Sequence, residues 1–275
     1  NVPGPFSGSL RRGGETLILR DSFGNPADIV RYDDGGRWPS SADGQGSSLE
    51  LRDPQSDNSL PGAWAGSDEL ERTTWQTYSY VGRAAASTVG PDSQWREFVF
   101  GLLEEGEVLL DDISVIEDPT GAARQFLSDG DFQDGNLNEW RALGNHRHVA
   151  VVPDPENPGN RVLHLRATGS TEHMHNHLET TLAGGESVSN GRIYEISFKA
   201  RWLSGANLFH TRLYFNRLPR TTELVRPSIL GTPGAPNSRL EPNIGPTTWG
   251  MPHRPAVPAP GTPVTVSIEA SDPDN

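Results

Sequence analysis

Six of the eight histidines fall between 146 and 177: His146, His148, His164, His173, His175 and His177. The densest stretch is EHMHNHLE at 172–179. If this is a strand, His173, His175, His177 and Glu179 share one face, because strand side chains alternate with period two. Residues two apart lie about 6.5 Å from each other along a strand, so one ion can reach more than one imidazole. Zn²⁺ or Cu²⁺ accepts such ligands. The same alternation also describes a polar, solvated strand face with Met174 turned towards the core. His146 and His148 could add a ligand only if folding brings them alongside.

A second chemistry is available to the aromatic residues. A sugar ring stacks on the face of a Trp or Tyr while polar neighbours bond its hydroxyls. Trp75, Tyr78, Tyr80, Trp95, Trp202 and Tyr214 are candidates, with Arg201, Arg212, Asn216 and Arg217 as polar partners. The competing assignment is burial, since most large aromatic rings of a β-sandwich are core. Support for catalysis is thin. There is no Gly-x-Ser-x-Gly, no Cys nucleophile and no phosphate loop. An enzymatic reading rests on the histidine cluster alone.

The elements that must hold these residues are strands. Gly 30 and Pro 23 punctuate short alternating runs, and apolar residues at helical spacing are nearly absent. That is an all-β pattern. With no Cys there is no disulfide, so the core must hold the fold alone. The net charge of −13 opposes nucleic acid and anionic membrane surfaces as partners. It suits a soluble surface protein or a cation binder. No run approaches the roughly 18 apolar residues of a membrane helix, so no membrane insertion is expected.

Strands are predicted at 75–85, 95–103, 107–117, 147–154, 160–169, 172–182, 192–205 and 207–218, with Trp140 in the core. The run EVLLDDISVIE at 107–117 is a buried strand interrupted by Asp111–Asp112. This run resembles the last strand of the jelly-roll carbohydrate-binding modules. FLSDGDFQDGNLNEW and the strands after it, through RIYEISFKARW, resemble the front of the same modules. The closing signature therefore precedes the opening one. A single circularly permuted jelly roll accounts for this, whereas two half-sandwiches would each leave a bare edge and an open core. The resemblance implies a polysaccharide or cell-surface glycan as partner. It also implies a structural Ca²⁺ near Asp112, Asp129 and Asp131. Calcium takes six to eight oxygens, so carbonyls and water would complete the set. Turn-forming Asp with no ion is the alternative for these residues and for Asp111 and Asp134.

Elsewhere, GETLILRDSFGNPADIVRYDDGGRWP and SSLELRDPQSDNSLPGAW resemble the second half of a lamin-tail domain, an immunoglobulin-like sandwich of bacterial exoproteins. The phrase GTPGAPNS at 231–238 is similar to the end of that family, which implies that a second domain is inserted ahead of it. The fold class expected is all-β: a jelly-roll sandwich plus a partial immunoglobulin-like sandwich. The chain divides into a partial lamin-tail-like domain at 1–70 and a jelly-roll carbohydrate-binding-like domain at 71–230. A lamin-tail terminus with a Pro-rich linker follows at 231–262, and the first strand of a truncated immunoglobulin-like domain at 263–275. The resemblances imply a non-catalytic glycan-binding or adhesive module of a secreted or cell-surface protein, joined to further domains of its parent chain. The alternative is a His-ligated metalloprotein with redox or hydrolytic activity.

Overall fold

The computed structural model describes residues 8–85, 95–171, 175–214 and 216–272. The chain is all-β, with helical content confined to single 3₁₀ turns. Among the described residues no helix is long and apolar enough to cross a membrane. Contacts divide it into two compact units. One comprises residues 1–43, 48–67 and 231–275, the other 44–47 and 68–230.

In the first unit, β1 (Glu15–Arg20) and β2 (Pro26–Tyr32) form a hairpin, and β3 (Leu49–Leu51) pairs with β4 (Trp64–Gly66). The GTPGAPNS phrase is anchored on β3. The buried carboxylate of Glu50 accepts bonds from the Thr232 hydroxyl at 2.9 Å and from the Ser238 amide and hydroxyl at 2.7 Å each. Asn237 Nδ2 donates to the Leu51 carbonyl at 2.8 Å. The chain thus leaves this unit after Ser67 and returns to it at Gly231.

The second unit is a sandwich. Its strands are β5 (Gln76–Arg83), β6 (Glu97–Leu102), β7 (Gly106–Glu117), β8 (Arg124–Gln125), β9 (Trp140–Leu143), β10 (Ala150–Pro153), β11 (Arg161–Ala167), β12 (His177–Thr181), β13 (Ile193–Gly205), β14 (Leu208–Leu213) and β15 (Arg217–Glu223). One sheet has the order β10-β11-β7-β13-β5, with β8 on β7. The other has the order β15-β14-β6-β12-β9. Strands from 76–117 and from 140–223 interleave in both sheets and share one core.

The core follows from alternation. On β13, Tyr194, Ile196, Phe198, Ala200 and Trp202 are all buried on one face. On β7 the parity changes midway: Val108 and Leu110 face the core, then Ile113 and Val115. A β-bulge makes this possible. Asp112 adopts φ 48°, and Asp112 and Ile113 together oppose the single residue Phe198. One extra residue moves the following side chains to the other face. The charged interruption seen in the sequence is this bulge. Its next residue, Ile113, donates to the Gly130 carbonyl at 2.8 Å, which brings the turn before Phe132 against β7. Phe132 is fully buried in the same core, its ring 5.5 Å from Trp140. Phe100 packs between Trp140 at 5.3 Å and Phe209 at 5.6 Å.

Several expectations need correction. The strand predicted over 172–182 runs only from His177 to Thr181. The run predicted as one strand over 207–218 is two, β14 and β15, and β15 continues past 218 to Glu223. Edge position and Pro219 explain the latter: a Pro breaks the alternation signal but is tolerated on an edge strand. Residues 241–262 are not a plain linker. They contain β16 (Thr247–Trp249) and β17 (His253–Arg254), which pair with β19 (Glu269–Ser271) and β18 (Thr265–Val266). The alternating Val264, Val266 and Ile268 are exposed.

Candidate functional site

The aromatic candidates separate into three places. Trp202 is 1% exposed and belongs to the core, with Nε1 donating to the Gly205 and Ala206 carbonyls at 3.2 Å. It is not available to a ligand. Tyr78 stacks on Phe198 at 5.3 Å between the sheets, and its hydroxyl accepts the Val225 amide at 2.9 Å. Trp75 is half-buried on the outer side of the β7-containing sheet, packed with Leu109, Val162 and Leu203. Tyr80, on β5 of that same sheet, packs against the core with its hydroxyl 2.9 Å from Thr211 Oγ1.

Trp95 and Tyr214 meet on the outer face of the β6-containing sheet. Phe98, Phe100 and Leu102 point inward on β6, as do Phe209 and Leu213 on β14. The alternate residues Val99 and Gly101, and His210, Arg212 and Tyr214, therefore point outward. Strand register sets them in rows. One row holds Thr221, His210 and Gly101, with His177 and Leu143 beyond. The next holds Arg212, Val99, Glu179 and Arg141. Tyr214 lies past β14 and donates its amide to the Glu97 carbonyl at 2.9 Å. Trp95, two residues before Glu97, sets its ring 4.8 Å from that of Tyr214 at 46°.

The polar groups differ in how they are satisfied. Glu179 accepts from Arg141 Nε at 2.8 Å and is 3.1 Å from His177 Nε2. The His177 hydrogen bond outweighs burial and, with Arg141, holds this carboxyl at about 2. It is ionised at neutral pH and unsuited to donate a proton as a glycosidase acid must. His146 is fully buried over Gly101. Its Nε2 accepts the Leu102 amide at 3.0 Å, beyond the point where the β12 ladder leaves β6, and Nδ1 lies 2.6 Å from Asn145 Oδ1. Burial, helped by His177, pushes His146 down to about 4, so the ring is neutral. His210 is likewise pushed to about 4, by burial first and then by Arg212 and His177. Arg212 is lowered by burial. His210 Nε2 and Arg212 Nε are buried atoms with no hydrogen-bond partner among the described residues.

The metal candidates fare differently. His173 lies outside the described residues. His175 is in a turn, not on β12, with its ring centroid 6.4 Å from that of His177. The strand geometry expected for the three histidines therefore does not hold for His175. Of the calcium candidates, Asp112 pairs with Lys199 at 2.7 Å. Asp129 is 6% exposed, and its Oδ2 has no hydrogen-bond partner among the described residues. Burial and the neighbouring Asp134 and Asp131 raise its carboxyl to about 6. A buried carboxylate with one unused oxygen beside like charges suits a cation, whereas Asp112 is already paired with Lys199. Among the described residues no three His or acidic side chains converge as a ready metal site.

Sequence singles out neither Arg141 nor His210, and His146 only as a further metal ligand. His210 was readable, because NLFHTRLYF alternates apolar inward residues with His210, Arg212 and Tyr214. Arg141 and His146 depend on strand order, which only the fold supplies.

The second unit is thus a two-sheet β-sandwich with aromatic and polar groups gathered on one outer sheet face. Residues 125–216, from β8 through β14, match the family model described as a carbohydrate binding domain. No curated protein and no solved structure matches the chain.

Proposed function

We propose that residues 68–230 form a glycan-binding module whose ligand lies on the outer face of the β15-β14-β6-β12-β9 sheet. One observation carries the reading. The Trp95–Tyr214 ring pair stands on the same outer face as the partly exposed side chains of Arg212 and His210, and Glu179 lies on that face too. Rings supply a stacking surface, while guanidinium, imidazole and carboxylate supply donors and acceptors for hydroxyls. The family match covers β9, β12 and β14 of this sheet. β6 and β7, which precede the match, occupy central positions in the two sheets, which favours a circular permutation relative to the family. The ligand is a polysaccharide or cell-surface glycan, and the module serves an exported multidomain protein in a non-catalytic, adhesive or targeting role. A structural Ca²⁺, if held, would use the turn of Asp129 and Asp131 with backbone carbonyls.

The test is a glycan array followed by titration of the best binder. Trp95→Ala or Tyr214→Ala should weaken it by about 1–3 kcal/mol, the value of one large ring. Trp75→Ala should leave it unchanged. An array without hits would overturn the reading.

A further inference from the structure

One charge on this face has no direct ion pair among the described residues, and Glu179 favours it only from across Val99. Arg212 projects outward from β14 and is half-buried. No carboxylate of the described residues lies within ion-pair distance of it, and its Nε has no hydrogen-bond partner. The acid on its row, Glu179, stands across Val99, which is fully buried. Glu179 is already committed to Arg141 and His177. Removing a cation from water without an anion is costly, and proteins seldom leave such a charge unmatched. The neighbours of Arg212 on the strand face are informative. Two residues before it is His210, whose Nε2 is buried with no hydrogen-bond partner among the described residues. Two residues after it is Tyr214, paired with Trp95. A neutral hydroxyl could accept from Arg212 Nε, but it would not offset the charge.

We infer that Arg212 seats the carboxylate of a uronic acid residue, so that the glycan bound is an acidic one. The inference rests on the reading of this face as glycan-binding. The guanidinium fork matches a planar carboxylate. The sugar ring lies on Trp95 and Tyr214. The chain's net charge of −13 opposes long-range attraction of polyanions. Recognition is therefore of single, well-seated uronates and not of dense negative charge.

The test uses the full chain in isothermal titration at 0.15 M salt. The probes are oligogalacturonate and a glucuronic-acid-bearing xylo-oligosaccharide, each beside its carboxyl-reduced counterpart. At least one acidic probe should bind about tenfold more tightly than its reduced form, the value of one charge-assisted hydrogen-bond pair. Arg212→Gln should bring that ratio near one. Arg212→Lys, which keeps the charge without the fork, should lose most of it and covers the case in which the Gln variant misfolds. Equal affinity of wild type for acidic and reduced forms overturns the inference while leaving glycan binding intact. A ratio that survives both substitutions also overturns it. Failure of every glycan on the array to bind removes the underlying reading as well.

Discussion

Gly101→Ala is the substitution the outer sheet face should tolerate least. A Cβ at 101 would lie 2.7 Å from His146 Nε2 and 3.1 Å from Cε1. The ring cannot slide away freely, because Nε2 accepts the Leu102 amide and Nδ1 is bonded to Asn145 Oδ1. His146 is also fully buried. Ordinary contact needs the ring to retreat by nearly an ångström, which breaks the bond to Leu102. A buried amide left unpaired costs about 1–3 kcal/mol, and overpacking adds a similar amount. A loss of about 2–6 kcal/mol is expected, measured by urea denaturation at pH 7. Hydrogen exchange at the Leu102 amide should accelerate in the same variant. Because the clash needs both groups, adding His146→Ala should cost less than the sum of the two single changes. A Gly101→Ala protein within about 0.5 kcal/mol of wild type, with Leu102 still protected, would refute this placement of the ring.

Two further outcomes are expected. His146 and His210 are held near 4 in the folded chain, below the ordinary histidine value of 6.5. The unfolded chain then binds more protons between pH 6.5 and 4, so stability should be full above 6.5 and fall as pH drops through that window. The loss should be about 1–3 kcal/mol per histidine, and His210→Gln should remove its share; a flat profile from pH 7 to 4 would contradict the burial of both rings. If the Asp129–Asp131 turn holds calcium, 1 mM Ca²⁺ should raise the melting midpoint by about 2–4 °C for each kcal/mol of binding, and Asp129→Asn should abolish the shift. An unchanged midpoint would mark the cluster as turn-forming only.

The strands were legible where alternation was clean. On β13 the period-two pattern of Tyr194, Ile196, Phe198 and Ala200 also assigns Trp202 to the core, so its candidacy as a ligand contact failed on information already present. The parity switch on β7 was visible only as a charged interruption. Recognising it as a bulge needs the positive φ of Asp112 and the opposing Phe198. The continuation of β15 past 218 was hidden by Pro219 at a sheet edge. The site was half legible: Arg212 and Tyr214 stand in an alternating strand, and Trp95 keeps the outward parity of β6. The Glu179–Arg141 pair, and the seating of His146 over Gly101, join strands distant in sequence. The histidine row failed because β12 begins only at His177, leaving His175 in the preceding turn.

Glycan binding on the outer face of the β6-containing sheet can be read residue by residue. A bound oligosaccharide titrated into isotopically labelled protein, followed by amide and side-chain chemical shifts, reads this directly. The largest changes should fall on Val99, Gly101, Glu179, His210, Arg212 and the Trp95 indole, with Trp75 unmoved. Changes centred on Trp75, Leu109 and Leu203, on the outer face of the other sheet, would contradict that placement.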